Sequence, residues 1–307
     1  MTLISAFHAK KEVIICAGAI DTPKLLMLSG IGPASDLMEL EIPVMADLSG
    51  VGSNFRDHTL LSFDYEVSSD LVGEPELVTL PPDEKTLPMQ DLVNLAVAWV
   101  KDPNVEQSSE LGSLPEENQR FITRPTVPSY EIACGGNWPK DIPHDKSSMT
   151  IKTFCMGVQS TGTVRLQSPN PKDAPLLDPN YLSHPFDRLN TMAQTKTVMD
   201  LVANSDLAKH VVGPIAAPKS TSEEDIIDFV ESNVSCAWHP VGTAKMGIQG
   251  DRNACVDKHF KVLGGVQALR VIDVSVCPFM PSTHTTSIAY LVGAWGAERL
   301  IAEYSLN

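Results

Sequence analysis

Two histidines lie in turn-rich loops, where their side chains could act on a substrate. His239 follows Trp238 and precedes a proline, and His284 ends the proline-rich loop that begins at Cys277. A neutral imidazole can accept a proton near neutral pH, so a pair facing one substrate hydroxyl could serve as base and hydrogen-bond partner. In the alternative interpretation each is a loop histidine bonded to backbone groups, and the spacing along the chain leaves both interpretations open.

The same region offers an alternative metal site. Cys236 and His239 are separated by two residues, and Cys255 and His259 by three, which are ligand types and short spacings of zinc sites. The proline after His239 neither excludes nor favours coordination. We expect no metal, because the family resemblance described below explains more of the residues around His239.

Asp57 and His58 form a further candidate, a charge-relay pair, although a polar dipeptide that closes a loop is the commoner case. The phosphate-binding pattern GxGxxG is absent, because Gly50 and Gly52 lack a third glycine and a preceding buried strand. The sequence also contains no Walker loop and no GxSxG elbow that would present a serine nucleophile.

The composition predicts a globular chain with one large or two smaller domains. It has 307 residues, of which 43% are hydrophobic and 20% charged, and its net charge is −15. This charge repels phosphate backbones and anionic lipid, so nucleic acid and membrane surfaces are not expected partners. No apolar run is long enough to span a bilayer, and no secretory leader follows Met1, so a cytoplasmic location is the default expectation. The six cysteines are widely scattered, which predicts mostly buried thiols rather than a disulfide framework.

The first elements predicted are a strand, a tight turn and a helix. The apolar run over residues 11–18 predicts a buried strand. Thr22 as N-cap and Pro23 at the first helical position predict a helix over residues 23–29, which Gly30 would end.

Periodicity and turn residues predict the remaining elements. Ser222, three residues before Asp225, is a helix start signal. In the terminal segment, Ile288, Leu291 and Trp295 share one helical face. Strands are predicted at 42–46, 151–156, 162–168 and 268–273, helices at 89–100, 187–209 and 286–304, and exposed loops at 74–85 and 102–128.

Several of these segments resemble signatures of the glucose-methanol-choline (GMC) family of flavin-dependent oxidoreductases. Residues 18–32 fit the second signature of that family throughout, and residues 51–58 resemble its GxNLxDH loop. Residues 162–181 resemble its strand segment that ends in Asn-Pro-x-Tyr or Asp-Pro-x-Tyr, and residues 239–247 resemble the segment with the catalytic histidine. Residues 270–275 and 281–284 complete the set, so the similarity extends from residue 11 to residue 301.

The resemblance implies a fold of the α+β or α/β class with two parts. Residues 1–61 and 233–307 would form a partial, discontinuous FAD-binding domain, and residues 62–232 a substrate-binding domain built on an antiparallel sheet with helices. The matching segments belong to the C-terminal portion of the family sequence, and the βαβ unit that binds the ADP half of FAD is not among them. The chain is then a shortened product, is completed by a second chain that supplies the N-terminal FAD-binding segment, or has given up flavin chemistry.

The resemblance also implies roles for individual residues. His239 would accept the hydroxyl proton of a small alcohol substrate while hydride passes to FAD, and His284 would hold the substrate oxygen. The flavin end of FAD would lie against Gly18, Ala19, Thr22, Asp273 and Val274 and against the start of the terminal helix at Thr285, Thr286 and Ser287.

Three functional hypotheses follow. The first is an FAD-dependent alcohol oxidoreductase, for which the breadth of the family suggests a role in secondary metabolism. The second is a flavin-free homologue that uses the histidines for redox-neutral cyclisation or isomerisation, and the third is a binding or scaffold partner. In each case we expect the strands near Val13 and Val271 to expose apolar edges, which predicts poor solubility of the chain alone.

Overall fold

The computed structural model describes residues 8–72, 96–136, 147–248 and 250–306, and its fold is of the predicted α+β class. The strands are β1 (Val13–Ile15), β2 (Ile31–Gly32), β3 (Ala46–Asp47), β4 (Thr59–Val67), β5 (Ala96–Val100), β6 (Tyr130–Gly136), β7 (Ser148–Cys155), β8 (Thr163–Arg165), β9 (Leu176–Asp178), β10 (Val211–Ala216), β11 (Ser235–Cys236) and β12 (Leu269–Val271). The helices are α1 (Gly18–Leu28), α2 (Ala34–Glu39), α3 (Ser69–Val72), α4 (Pro103–Glu106), α5 (Ser109–Gly112), α6 (Glu116–Ile122), α7 (Pro185–Asn204), α8 (Glu223–Asn233) and α9 (Thr286–Tyr304).

The chain divides into two compact units. The first comprises residues 1–57, 159–183 and 238–307, and the second comprises residues 58–158 and 184–237. Residues 159–183, which the resemblance placed in the substrate-binding part, belong to the first unit. The bridge between Phe55 and Gly162 shows why, because it pairs this segment with the loop before Asp57.

The first helix of the first unit begins earlier than predicted. It starts at Gly18, so Pro23 lies inside the helix and Thr22 is not its N-cap. Pro23 lacks the N–H group that would bond to the carbonyl of Ala19. The hydroxyl of Thr243 donates to that carbonyl instead, at 2.6 Å. Thr243, which is distant in sequence, thus stabilises a helix whose start the local signals predicted at Pro23.

Arg270 connects both strands of a small parallel sheet to the terminal helix. β1 pairs in parallel with β12, and Arg270 in β12 is fully buried. Its guanidinium donates to Glu12 at 2.7 Å, to Glu303 at 2.5 Å and to the carbonyl of His259 at 2.7 Å. Glu12 precedes β1 and Glu303 lies in the last turn of α9, which has the predicted bounds. One buried cation therefore links elements from both ends of the chain.

Apolar side chains stay exposed on β1 and α9. Val13 is 51% exposed, Tyr290 77% and Leu291 60%, although parallel strands are usually covered on both faces. The prediction of a buried strand is therefore wrong for β1, and the predicted exposure of apolar groups is confirmed at Val13. The predicted exposure is wrong at Val271, which is fully buried, and residues 260–262 hydrogen-bond along the other side of β12.

The second unit is built on a six-stranded antiparallel sheet. Its strand order is β10-β4-β7-β6-β5, and β11 also pairs with β4. α7 and α8 pack against this sheet, and the rings of Phe63 in β4 and Phe229 in α8 lie 5.2 Å apart. The predicted start of α8 is confirmed, because the hydroxyl of Ser222 accepts from the N–H of Asp225 at 3.2 Å.

The helix predicted over residues 89–100 is wrong where the structure describes it. Ala96–Val100 forms β5, which pairs along its whole length with β6, while residues 89–95 lie outside the described ranges. Short apolar runs suit a strand or a helix equally well, and the neighbouring strand decides. The predicted loop over residues 74–85 also lies outside the described ranges.

The loop predicted over residues 102–128 contains three short helices. The side chains of Asp102 and Ser108 cap the first two, accepting backbone N–H bonds at 2.8 Å and 3.1 Å. Val105, Leu111 and Ile122 from this segment are buried in a cluster with Leu114 and Phe186. The sequence did not predict this cluster, because its apolar residues are interspersed with charged surface residues.

Cysteine burial and strand lengths also differ from prediction. All six cysteines are free, and Cys155, Cys255 and Cys277 are buried, so the expectation of mostly buried thiols holds for half of them. β3 covers only the end of the strand predicted over 42–46, and β8 only part of that over 162–168. Within the described ranges, no helix has the length and apolar character to cross a membrane.

Candidate active site

The structure brings the two predicted histidines together. The ring centroids of His239 and His284 are 4.6 Å apart, and the ring planes meet edge-on at 78°. Both residues belong to the first unit. A single substrate oxygen can therefore reach both imidazoles, as base and hydrogen-bond partner require.

A buried carboxylate holds the main chain of His239. The N–H of His239 donates to Oδ1 of Asp57 at 3.0 Å, and the hydroxyl of Tyr181 donates to Oδ2 at 3.1 Å. Asp57 is only 3% exposed. From the sequence, Asp57 was a candidate charge-relay partner of His58, and Tyr181 was assigned no role. Both residues nevertheless lie in the motifs that carried the family resemblance.

The backbone that follows His239 is also fixed, by hydrogen bonds and by close packing. Arg56 and Val241 exchange two backbone hydrogen bonds, at 3.1 Å and 2.9 Å. Gly242 has a φ of 90°, and a Cβ there would lie 2.5 Å from the carbonyl oxygen of Asn54. The side-chain amide of Asn54 donates to the carbonyl of Gly242 at 3.1 Å. This position therefore requires glycine.

Burial, and secondarily the neighbouring His284, lower the pKa of His239 to about 4. The imidazole of His239 is therefore neutral at neutral pH and available to accept a proton. His284 is exposed. The pair thus combines one shielded neutral ring with one ring that faces solvent.

Asp273 holds the start of α1. Its Oδ2 accepts from the N–H of Gly18 at 3.0 Å and from the hydroxyl of Thr22 at 2.6 Å. Its Oδ1 accepts from the N–H of Ser275 at 2.8 Å. Three predicted cofactor residues, Gly18, Thr22 and Asp273, are thus brought together. Thr22 is fully buried, so its hydroxyl acts on Asp273.

Val274 connects this group to the histidine loop. Its carbonyl accepts from the N–H of Gly242 at 3.2 Å, and the carbonyl of Ser275 accepts from the N–H of Ala244 at 2.8 Å. Ala19, the remaining predicted residue of α1, is buried. The start of α1 and the His239 loop therefore both hydrogen-bond to the turn at residues 273–275, which is called the shared turn below.

The N-terminus of α9 lies directly after His284. Thr285 is the N-cap and makes no side-chain capping bond, and Thr286 and Ser287 begin a helix of 19 residues whose first turn contains no acidic residue. The first N–H groups of such a helix and its dipole favour a negatively charged group nearby.

The metal alternative finds no support in the described part of the chain. No group of three or more His, Cys, Asp or Glu side chains there could hold a metal ion.

Comparison with known proteins gives one family. Two family models described as GMC oxidoreductase match residues 2–60 and 158–293. A glucose methanol choline oxidoreductase of Aspergillus terreus is 32% identical over 96% of this chain and 49% of its own length. Human mitochondrial choline dehydrogenase is 32% identical over 95% of this chain and 48% of its own length. The structure of Aspergillus oryzae formate oxidase superposes with a TM-score of 0.80 at 25% identity, over 97% of this chain and 55% of that one.

The chain belongs to the GMC oxidoreductase family, as the motifs predicted. It spans about half the length of the curated relatives it matches. The formate oxidase structure concerns modification of FAD, so the family implies a flavin cofactor.

The described residues fit such a cofactor at the shared turn. Gly18 has a φ of 79°, and a Cβ there would meet nothing within 4 Å, so its backbone faces open space. The hydroxyl of Ser275 is buried without a hydrogen-bond partner in the described part of the chain. The Ser275 hydroxyl and the uncapped start of α9 therefore offer donors to a polar, anionic ligand, and Gly18 leaves space for it.

Proposed function

We propose that this chain forms the catalytic part of an FAD-dependent oxidoreductase that oxidises an alcohol, a CH–OH donor. The observation that carries the proposal is the edge-on pair of His239 and His284, with His239 neutral. The similarity to choline dehydrogenase supports an alcohol substrate, because choline is an alcohol.

In the proposed reaction, His239 accepts the proton of the substrate hydroxyl, and His284 binds the same oxygen. FAD, when bound, supplies the acceptor for the hydride of the carbinol carbon. Asp57 and Asp273 position the backbone around the reacting groups. The residues proposed to hold FAD are Gly18, Ala19, Thr22, Asp273, Val274, Thr285, Thr286 and Ser287, of which Thr22 and Asp273 act by holding the turn.

The proposal includes a second polypeptide segment, from this or another chain, that supplies the ADP half of the cofactor site. The exposed Val13 of β1 and the exposed Tyr290 and Leu291 of α9 support it. A parallel strand and a helix laid on these residues would cover an apolar surface that parallel sheets normally bury.

The test uses the full chain, alone and co-expressed with the N-terminal half of the Aspergillus terreus relative. We expect the co-expressed protein to retain FAD, and its flavin absorbance to bleach anaerobically with choline or benzyl alcohol. His239→Ala should retain FAD and lose the bleaching. A protein that stays colourless in both preparations, or a flavin that no alcohol reduces, would contradict the proposal.

A redox-neutral acid–base function is the second candidate, because the histidine pair lies within this chain and can move protons without a cofactor. Isomerisation or cyclisation of a substrate by flavin-free protein, abolished by His239→Ala, would favour it. A binding or scaffold role would instead survive that substitution.

A further inference from the structure

The residue before His239 has a backbone conformation that its side chain disfavours. Trp238 has a φ of 57°, in the left-handed region that bulky residues rarely adopt. Its side chain is 75% exposed, so packing of the indole does not impose this conformation. Such a conformation persists only where surrounding contacts determine it.

The contact that can impose it is made by the next residue. The N–H of His239, whose direction depends on the backbone of Trp238, donates to Oδ1 of Asp57 at 3.0 Å. A carboxylate is a stronger acceptor than a neutral oxygen, and this one is buried. The hydroxyl of Tyr181 bonds to the second oxygen at 3.1 Å and thereby fixes the orientation of the carboxylate.

These three residues come from the three chain segments of the first unit. Asp57 ends the segment 1–57, Tyr181 lies in the segment 159–183, and His239 is near the start of the segment 238–307. The two hydrogen bonds therefore join the whole unit at the residue that carries the proposed base.

We propose that Asp57 and Tyr181 are positioning residues that hold Trp238 in the left-handed conformation and thereby place the imidazole of His239 against that of His284. Their importance for catalysis depends on the proposed function. Their effect on the histidine ring does not, because it depends only on contacts within this chain.

The test is an NMR titration of His239 in the full chain, where burial and the ring of His284 keep its pKa near 4. Asp57→Ala removes the acceptor, so the ring should leave its half-buried position and its pKa should rise towards about 6.5, the ordinary value of imidazole. Tyr181→Phe should give a smaller rise in the same direction. Tyr304→Phe, which removes the same hydroxyl at the far end of α9, should leave the pKa of His239 unchanged.

A second substitution separates positioning from general loss of structure. Glycine removes the strain of positive φ but does not impose it, so Trp238→Gly in the Asp57→Ala background should return the pKa of His239 only part of the way towards 4. If Asp57→Ala does not fold, the titration of Tyr181→Phe decides. An unchanged pKa of His239 in the folded Asp57→Ala and Tyr181→Phe proteins would overturn the proposal.

Turnover distinguishes this inference from the proposed function. In flavin-loaded enzyme, Tyr181→Phe should lower kcat more than it changes KM, because it misplaces the base without removing it. A chain that fails to bind flavin but shows the predicted shifts in His239 titration would retain the positioning role and reject the oxidoreductase. Normal turnover with an unchanged titration of His239 would support the oxidoreductase and reject the positioning role.

Discussion

The environment of His239 determines its proton affinity. Burial and the ring of His284 lower its pKa to about 4, whereas an exposed imidazole in the unfolded chain has a pKa of about 6.5. Between these two values the unfolded chain binds a proton that the folded chain does not. A histidine kept neutral for proton transfer therefore makes folding sensitive to acid.

We expect the free energy of unfolding to fall as the pH drops from about 6.5 to about 4, because the unfolded state takes up the additional proton. Above the unfolded pKa both states are neutral at this residue, so its contribution is constant. Urea unfolding of the wild type and His239→Gln at several pH values measures the effect. The glutamine variant should lose this part of the pH dependence, and parallel curves for the two proteins would contradict the expectation.

Thr243 is a second residue whose role depends on its environment. Its hydroxyl bonds to the Ala19 carbonyl, which Pro23 leaves without a helical donor. Thr243→Val should lower the free energy of unfolding by about 1–3 kcal/mol, because a buried carbonyl loses its partner. Thr243→Ser retains the hydroxyl and is the control. Equal urea midpoints for the valine and serine variants would show that the bond contributes nothing.

At the scale of elements, α7 places polar groups where a helix on a sheet usually places apolar ones. Asn190 and Gln194 are both fully buried. The amide nitrogen of Asn190 donates to the carbonyls of Ser129 and Met156, at 2.8 Å and 3.2 Å. Neither side-chain polar atom of Gln194 has a partner in the described part of the chain. The amide nitrogen of Asn190 is thus bonded, whereas its Oδ1 and both polar atoms of Gln194 have no partner in the described part of the chain.

We expect opposite effects when each amide is replaced by an apolar side chain of similar size. Gln194→Met should raise the free energy of unfolding by about 1 kcal/mol, because it removes unpaired buried polar atoms. Asn190→Leu should lower it by about 1–3 kcal/mol, because two hydrogen bonds of its amide nitrogen to backbone carbonyls are lost. Urea unfolding of both variants gives the comparison. A loss of stability in Gln194→Met would mean that its amide is satisfied in solution.

At the scale of the whole molecule, Arg270 is the clearest long-range connection. Its guanidinium is bonded to Glu12 and Glu303, and the side chain of Glu12 is only 6% exposed. Removing the cation would leave a buried carboxylate without its partner. The two ends of the chain are therefore coupled through one side chain.

Arg270→Met should lower the free energy of unfolding by about 3–5 kcal/mol, as expected for breaking a buried ion pair from one side. Lys261 also bonds to Glu303, at 2.7 Å, but this pair is exposed. Lys261→Met should therefore change stability by only about 0–1 kcal/mol. Thermal or urea unfolding compares them, and similar losses in the two variants would argue against the buried network.

Much of the molecule could be predicted from short-range sequence patterns. The run before Gly18 predicted the strand β1 but not its exposure, and Gly30, with a φ of 79°, follows the end of α1 as predicted. The bounds of α9 follow from its apolar periodicity. The motifs gave the family and both histidines. The strand, the position of Gly30 and the bounds of α9 depend on neighbours within about four residues, where periodicity, capping and glycine conformation act directly.

Other features were decided only by tertiary structure. α1 begins at Gly18 because Asp273 and Thr243 satisfy groups that the local sequence leaves open. Residues 96–100 form a strand because β6 lies beside them. The contact between His239 and His284, and its support by Asp57, join residues that are far apart in sequence. No local pattern encodes such distances, because they result from the packing of several segments at once.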